Sequence, residues 1–208
     1  MIFRLLAQIP LLGDVLRIFN AYAYRGDTNA EKRFAGVWLW LSAFWLQGGL
    51  SLVATLFCMP QLTNRYVPEK FRLCYVVDTA PGLLATSILP NLLGFGIGIY
   101  ALIFGLHKVL LRELQENYKD VPGTKPRPGS ALILNAEMAV PLLILALTIM
   151  MGVIQQVNTK SETLQFATWL SLWLSFVFTV ELIVTLFGLG DNAILKTLKD
   201  SDSNSSTD

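Results

Sequence analysis

The sequence predicts an all-α, polytopic membrane protein: a four-transmembrane-helix bundle with an N-terminal amphipathic interfacial helix. Three observations carry this. Residues 35–59, 80–106, 131–154 and 166–190 form four long apolar blocks. Each exceeds the roughly 20 residues that a helix needs to cross a ~30 Å hydrocarbon core. The blocks are apolar all round, in a chain of 208 residues that is 53% hydrophobic with mean hydropathy +0.52. A helix in contact with lipid on one side and protein on the other needs that pattern, since it leaves no face for water. Lysine and arginine, finally, are unevenly divided between the segments that join the blocks.

The N-terminal segment holds five of these cations (Arg4, Arg17, Arg25, Lys32, Arg33) and the segment after the second block another five (Lys108, Arg112, Lys119, Lys125, Arg127). The tail has two (Lys196, Lys199), whereas the remaining loops have three (Arg65, Lys70, Arg72) and one (Lys160). The positive-inside rule then places both termini and the central loop in the cytoplasm, with residues 60–79 and 155–165 outside. Trp38, Trp40, Trp169 and Trp173 lie near block ends, at headgroup level. Net charge is +1, which excludes a strong field for nucleic acid.

Residues 1–33 form the N-terminal segment. Ile2, Leu5, Leu6, Ile9, Leu12, Leu16 and Phe19 recur at helical spacing, with Arg4, Gln8 and Arg17 elsewhere on the wheel. Pro10 and Gly13 distort that helix. Two placements fit: on the cytoplasmic membrane surface, or packed under the bundle. Charges and breakers also interrupt the pattern expected of a secretory signal. Asp27 or Thr28 is expected to cap the first span, Thr28 with Glu31 matching a capping box.

The membrane domain is expected over 34–199. The second block has 27 residues, roughly 40 Å at helical rise, so it tilts, kinks at Pro90 or projects from the lipid. Val109, Leu110, Leu114 and Tyr118 continue its stripe, which predicts a cytoplasmic helical extension over 107–120. Proline and glycine in 122–129 then make a stiff linker. Residues 200–208 are serine, aspartate, asparagine and threonine, and are expected to be disordered.

Glu137 and Glu181 are the only charged residues inside the blocks. Glu181 lies roughly 13 Å and Glu137 roughly 9 Å inside the inner edge at helical rise. A carboxyl at such depth is protonated or paired. It serves proton or cation handling, or fixes helix register. Alternatively the third span begins at Met138 and leaves Glu137 among the headgroups. Pro141 cannot donate to the Glu137 carbonyl, so an acidic side chain and a free carbonyl coincide there, beside Asn135. Asn91, after Pro90, offers hydrogen bonding to a neighbouring helix. Gly94 and Gly98 form a small-xxx-small pair suited to close helix packing. Gly94-Phe95-Gly96 has the glycine–aromatic–glycine order of potassium-channel filters, but it follows two leucines inside a continuous span, which excludes a re-entrant filter.

Cys58 and Cys74 are the only cysteines. They are either a disulfide across the outer loop or two free thiols. The single His107 has no clustered ligand, so no metal site or cofactor is expected. No phosphate loop, nucleophile elbow or zinc-protease motif is present, and no enzyme is expected. The leading expectation is a small non-catalytic protein of the bacterial inner membrane that acts through protein–protein contacts. Its partners would be the lipid bilayer and another membrane protein, in a complex or as an immunity-type protein against a membrane-directed toxin. The alternative is an oligomeric proton or cation conduit using Glu137 and Glu181. Several copies would be needed, because four helices enclose too little space for an aqueous pore.

Overall fold

The protein is seen here as a computed structural model, which describes residues 9–25, 28–31, 33–106 and 130–205. Six α-helices are described: α1 (Leu12–Ala23), α2 (Val37–Cys58), the single turn α3 (Pro60–Thr63), α4 (Pro81–Leu106), α5 (Ser130–Val157) and α6 (Glu162–Ser205). Stretches of α2, α4, α5 and α6 are long and apolar enough to cross a membrane. The chain is a multi-pass membrane protein with a four-helix bundle. The segment over 107–129, and with it the expected cytoplasmic extension and His107, lies outside the described residues.

The helices do not form a closed square. α5 packs along α4, α6 and α1, whereas α2 packs on α6 and α1 and not along α5. Small and polar residues make these seams, as expected where lipid offers no hydrophobic drive between helices. On α2 the stripe Gln47, Ser51, Thr55 and Cys58 recurs at helical spacing, and Ser51 and Thr55 are fully buried. Ser51 donates to the Gln47 carbonyl at 2.7 Å and Thr55 to the Ser51 carbonyl at 2.7 Å. Each hydroxyl is satisfied within its own helix and leaves a flat face for α6. Between α5 and α6, Ser175 donates to Thr148 Oγ1 at 2.7 Å, and Thr148 donates to the Ser171 carbonyl at 3.1 Å.

The closest approach joins α4 to α5 through Gly82 and Gly152. A Cβ on Gly82 would stand 2.6 Å from the Gly152 carbonyl oxygen, and one on Gly152 would stand 2.9 Å from the Ala85 Cβ. Only glycine lets the backbones meet there. Gln155 accepts from the Gly82 N–H at 3.1 Å, and Gln156 donates to the Gly82 carbonyl at 2.9 Å. The close approach expected at Gly94 and Gly98 is not made among the described residues, since a Cβ at either position meets open space there. Those two glycines turn away from α5, while Gly96 between them is buried against Leu142. Pro90 and Asn91 are exposed on the outer side of α4. Asn91 makes no hydrogen bond among the described residues, so it does not join helices of this chain.

Of the two placements open to the N-terminal helix, α1 takes one: it packs on the bundle, with Tyr22 buried among Ala136, Val140, Ile144 and Phe178 and Ala23 buried next to it in the chain. That is the packed placement, and the helix starts at Leu12 because the chain bends at Pro10 and Leu11, whose φ is 65°. The first span starts at Val37 behind Gly36, which provides no side-chain cap. Thr28–Glu31 is instead a separate 3₁₀ turn, in a segment that Asn20 holds. Fully buried, Asn20 donates to the Ala30 carbonyl at 2.7 Å and the Arg33 carbonyl at 2.8 Å, and accepts from the Ala35 N–H at 2.8 Å. At the other end α6 runs on to Ser205, past the start of the expected disordered tail at Asp200. No proline or glycine follows Gly190, and extending an existing helix carries no nucleation cost.

The structure holds Cys58 and Cys74 as free thiols, not as a disulfide. Cys58 Sγ accepts from the Trp173 indole at 3.3 Å and Cys74 lies exposed, although both line one cavity of about 440 Å³ at that end of the bundle. The loop around them is self-braced. Asn64 bonds both the N–H and the carbonyl of Leu73 at 2.9 Å, and the Tyr75 hydroxyl donates to the Phe57 carbonyl.

Candidate functional site: an intramembrane carboxylate cavity

Glu137 of α5 and Glu181 of α6 line the same cavity, of about 430 Å³, with Tyr22 and Arg25 from α1 and its following turn and Gln47 from α2. Both glutamates are half-buried. The apolar stretch of α5 begins at Ile133, so it takes in Glu137, and that of α6 runs from Glu162 to Asp191 and takes in Glu181.

Glu181 is held on both oxygens. The Tyr22 hydroxyl donates to Oε1 at 2.5 Å, and Gln47 Nε2 donates to Oε2 at 3.2 Å. Gln47 Nε2 also donates to the Tyr22 hydroxyl oxygen at 3.3 Å, which closes a three-residue network across α1, α2 and α6. Glu181 thus accepts on each of its oxygens. The Tyr22 phenol remains a donor because burial, reinforced by its bond to Glu181, pushes its pKa far above the ordinary value. Aromatic packing fixes its ring, with Phe44 at 5.1 Å and Phe178 at 5.9 Å between centroids.

Glu137 differs. It makes no hydrogen bond and no ion pair among the described residues, and its side chain opens on the cavity. Pro141, buried four residues on, lies inside α5 and leaves the Glu137 carbonyl without its usual helical donor. Asn135 points elsewhere: it is exposed and accepts from the Tyr100 hydroxyl of α4 at 2.7 Å.

Among the described residues Arg25 is the one cation in the cavity lining. Its φ of 51° puts it in the left-handed region just after α1, where a non-glycine residue is uncommon. Its guanidinium is exposed and forms no ion pair with either glutamate among the described residues. With both glutamates ionised, the described lining residues carry two negative charges against one positive.

Three residues of this site, Tyr22, Arg25 and Gln47, escape a search for charges inside apolar blocks. Gln47 carries a signal in the sequence all the same. It heads the small and polar stripe of α2 at positions 47, 51, 55 and 58. Tyr22 carries none, since its role depends on α1 folding back under the bundle. Fold and site together define a multi-pass membrane protein with a polar cavity between its spans. Comparison with protein-family models, characterised proteins and solved structures finds no match.

Proposed function

We propose that the protein takes up a proton or a small cation between Glu137 and Glu181 inside the membrane, and conducts it as an oligomer. One observation carries this: two glutamates from different helices face one cavity, one held on both oxygens and the other free of hydrogen bonds. A carboxylate in a low-dielectric setting is costly unless its charge is met. Two carboxyl groups on one cavity, only one of them held by donors, therefore favour a proton or cation shared between them. The test is flux into liposomes that hold purified protein and a trapped pH or sodium dye, under an imposed potential. Wild-type protein should exceed empty vesicles and Glu137→Gln should not. Wild-type flux equal to that of empty vesicles overturns the reading.

A second reading has its own support. The open face of α4 at Gly94 and Gly98 has no neighbour among the described residues, and such a face suits another helix. On this reading the protein is non-catalytic and acts by contact with a membrane complex or a membrane-directed toxin. Gly98→Cys, in a background without Cys58 and Cys74, distinguishes the two on oxidation in native membranes. Adducts of twice the chain mass support the oligomer, and adducts of another mass support a foreign partner. The charge distribution supports cytoplasmic termini. Reporter fusions should then read cytoplasmic after Asp200 and external near Lys160, and the reverse pattern would contradict that orientation.

A further inference from the structure

A second cavity lies against the first. It is a groove of about 600 Å³ between α2, α5 and α6, lined by Trp40, Leu41, Phe44, Ile144, Leu147 and Leu174 among others. It exists because α2 packs on α6 and not along α5. Trp45 lines both this groove and the carboxylate cavity. Trp45 is 67% exposed, so little packing fixes it where the two cavities meet.

The chemistry of the two volumes is opposite. The groove is apolar apart from its indoles: Thr148 and Ser171 spend their hydroxyls on the backbone carbonyls of Ser171 and Thr168, each at 3.1 Å, and the buried Trp40 Nε1, which makes no hydrogen bond among the described residues, is a neutral donor without charge. The carboxylate cavity, by contrast, has two carboxyl groups, one guanidinium and an amide. When both glutamates are ionised, its charges leave one negative unit unbalanced. A ligand that matches both volumes carries one positive charge at one end and an apolar body at the other, with an aromatic face between them. A cation over the Trp45 ring gains a further attraction from the π-system.

We infer that the site binds an amphipathic monocation, its charged group between Glu137 and Glu181 and its apolar body in the groove beyond Trp45. The inference rests on the proposed cation site and adds the class of ligand. Titratable groups facing the bound charge are Glu137 from α5, Glu181 from α6, and Tyr22 and Arg25 from α1 and its turn. Arg25 sets the limit on charge, since a dication would overbalance the lining.

The experiment is calorimetric titration of the full chain in zwitterionic nanodiscs, with empty discs subtracted. The probes are tetramethylammonium, hexyltrimethylammonium and hexanol. Each buried methylene adds up to about fourfold in affinity, so hexyltrimethylammonium should bind at least tenfold more tightly than tetramethylammonium, and at least tenfold more tightly than hexanol, which has the chain without the charge. Leu147→Trp, which fills the groove at a position already exposed, should reduce hexyltrimethylammonium to the affinity of tetramethylammonium and leave tetramethylammonium unchanged. Leu41→Trp should do the same from the opposite wall. Glu137→Gln should weaken both cations. Equal affinity of the two cations overturns the inference but leaves the cation site standing. Absence of binding by both overturns the two together. Hexyltrimethylammonium binding that survives Glu137→Gln with Glu181→Gln is partition into apolar surface, and also overturns it.

Discussion

The Tyr22 hydroxyl donates to Glu181 Oε1 at 2.5 Å, across 159 positions of the chain. This bond makes the N-terminal helix part of the membrane domain. It draws α1 under the bundle and supplies one of the two donors that a carboxylate in apolar surroundings requires.

Tyr22→Phe keeps the ring packed on Phe44 and Phe178 and removes only that donor. It should destabilise the folded protein by ~0.6–2 kcal/mol, the range of interhelical hydrogen bonds in membranes. Thermal unfolding in detergent measures it. Tyr22→Leu should cost more, because it removes the ring contacts as well.

Asn20 is the hinge of the α1–α2 connection. Asn20→Leu leaves two carbonyls and one N–H without partners, each buried polar group costing about 1–3 kcal/mol. The expected outcome is a marked loss of thermal stability with protease sensitivity near Arg33. Asn20→Asp, which can still accept from the Ala35 N–H, should fall between wild type and Asn20→Leu. A fully stable Asn20→Leu protein would show that the connection is held elsewhere.

Glycine substitutions should separate the two faces of α4. Gly82→Leu drives a side chain into the Gly152 backbone, and overpacking of this kind typically costs ~1–3 kcal/mol. Gly98→Leu meets open space and should leave the unfolding temperature of the monomer in detergent unchanged. A larger loss in Gly98→Leu than in Gly82→Leu would contradict the packing described here.

The four spans were legible in the sequence because hydrophobic length alone determines them: the described helices begin within a few residues of the blocks, and all but α6, which runs on to Ser205, end within a few residues of them. The packing was less legible. Small-xxx-small spacing at Gly94 and Gly98 identifies a face that can accept a neighbour, but not the neighbour. Gly82 and Gly152 are single glycines in separate blocks, and only their juxtaposition gives them meaning. The glutamates stood out through the rarity of charge in apolar blocks. Their partners did not, because Gln47 is uncharged and Tyr22 lies before the first span. Asn20 was hidden for the same reason: its bonds reach ten to fifteen residues ahead, to a loop without a regular pattern.

The central claim is that Glu137 is the open, exchangeable carboxyl of the pair and Glu181 the held one. A hydrophobic carbodiimide tests this most directly, since it reacts with a protonated carboxyl in apolar surroundings, and mass spectrometry locates the adduct. The account predicts one adduct per chain, on Glu137, that diminishes when pH is raised and when sodium or potassium is added. Labelling of Glu181 in preference to Glu137, or labelling of Glu137 indifferent to both pH and cations, would contradict it.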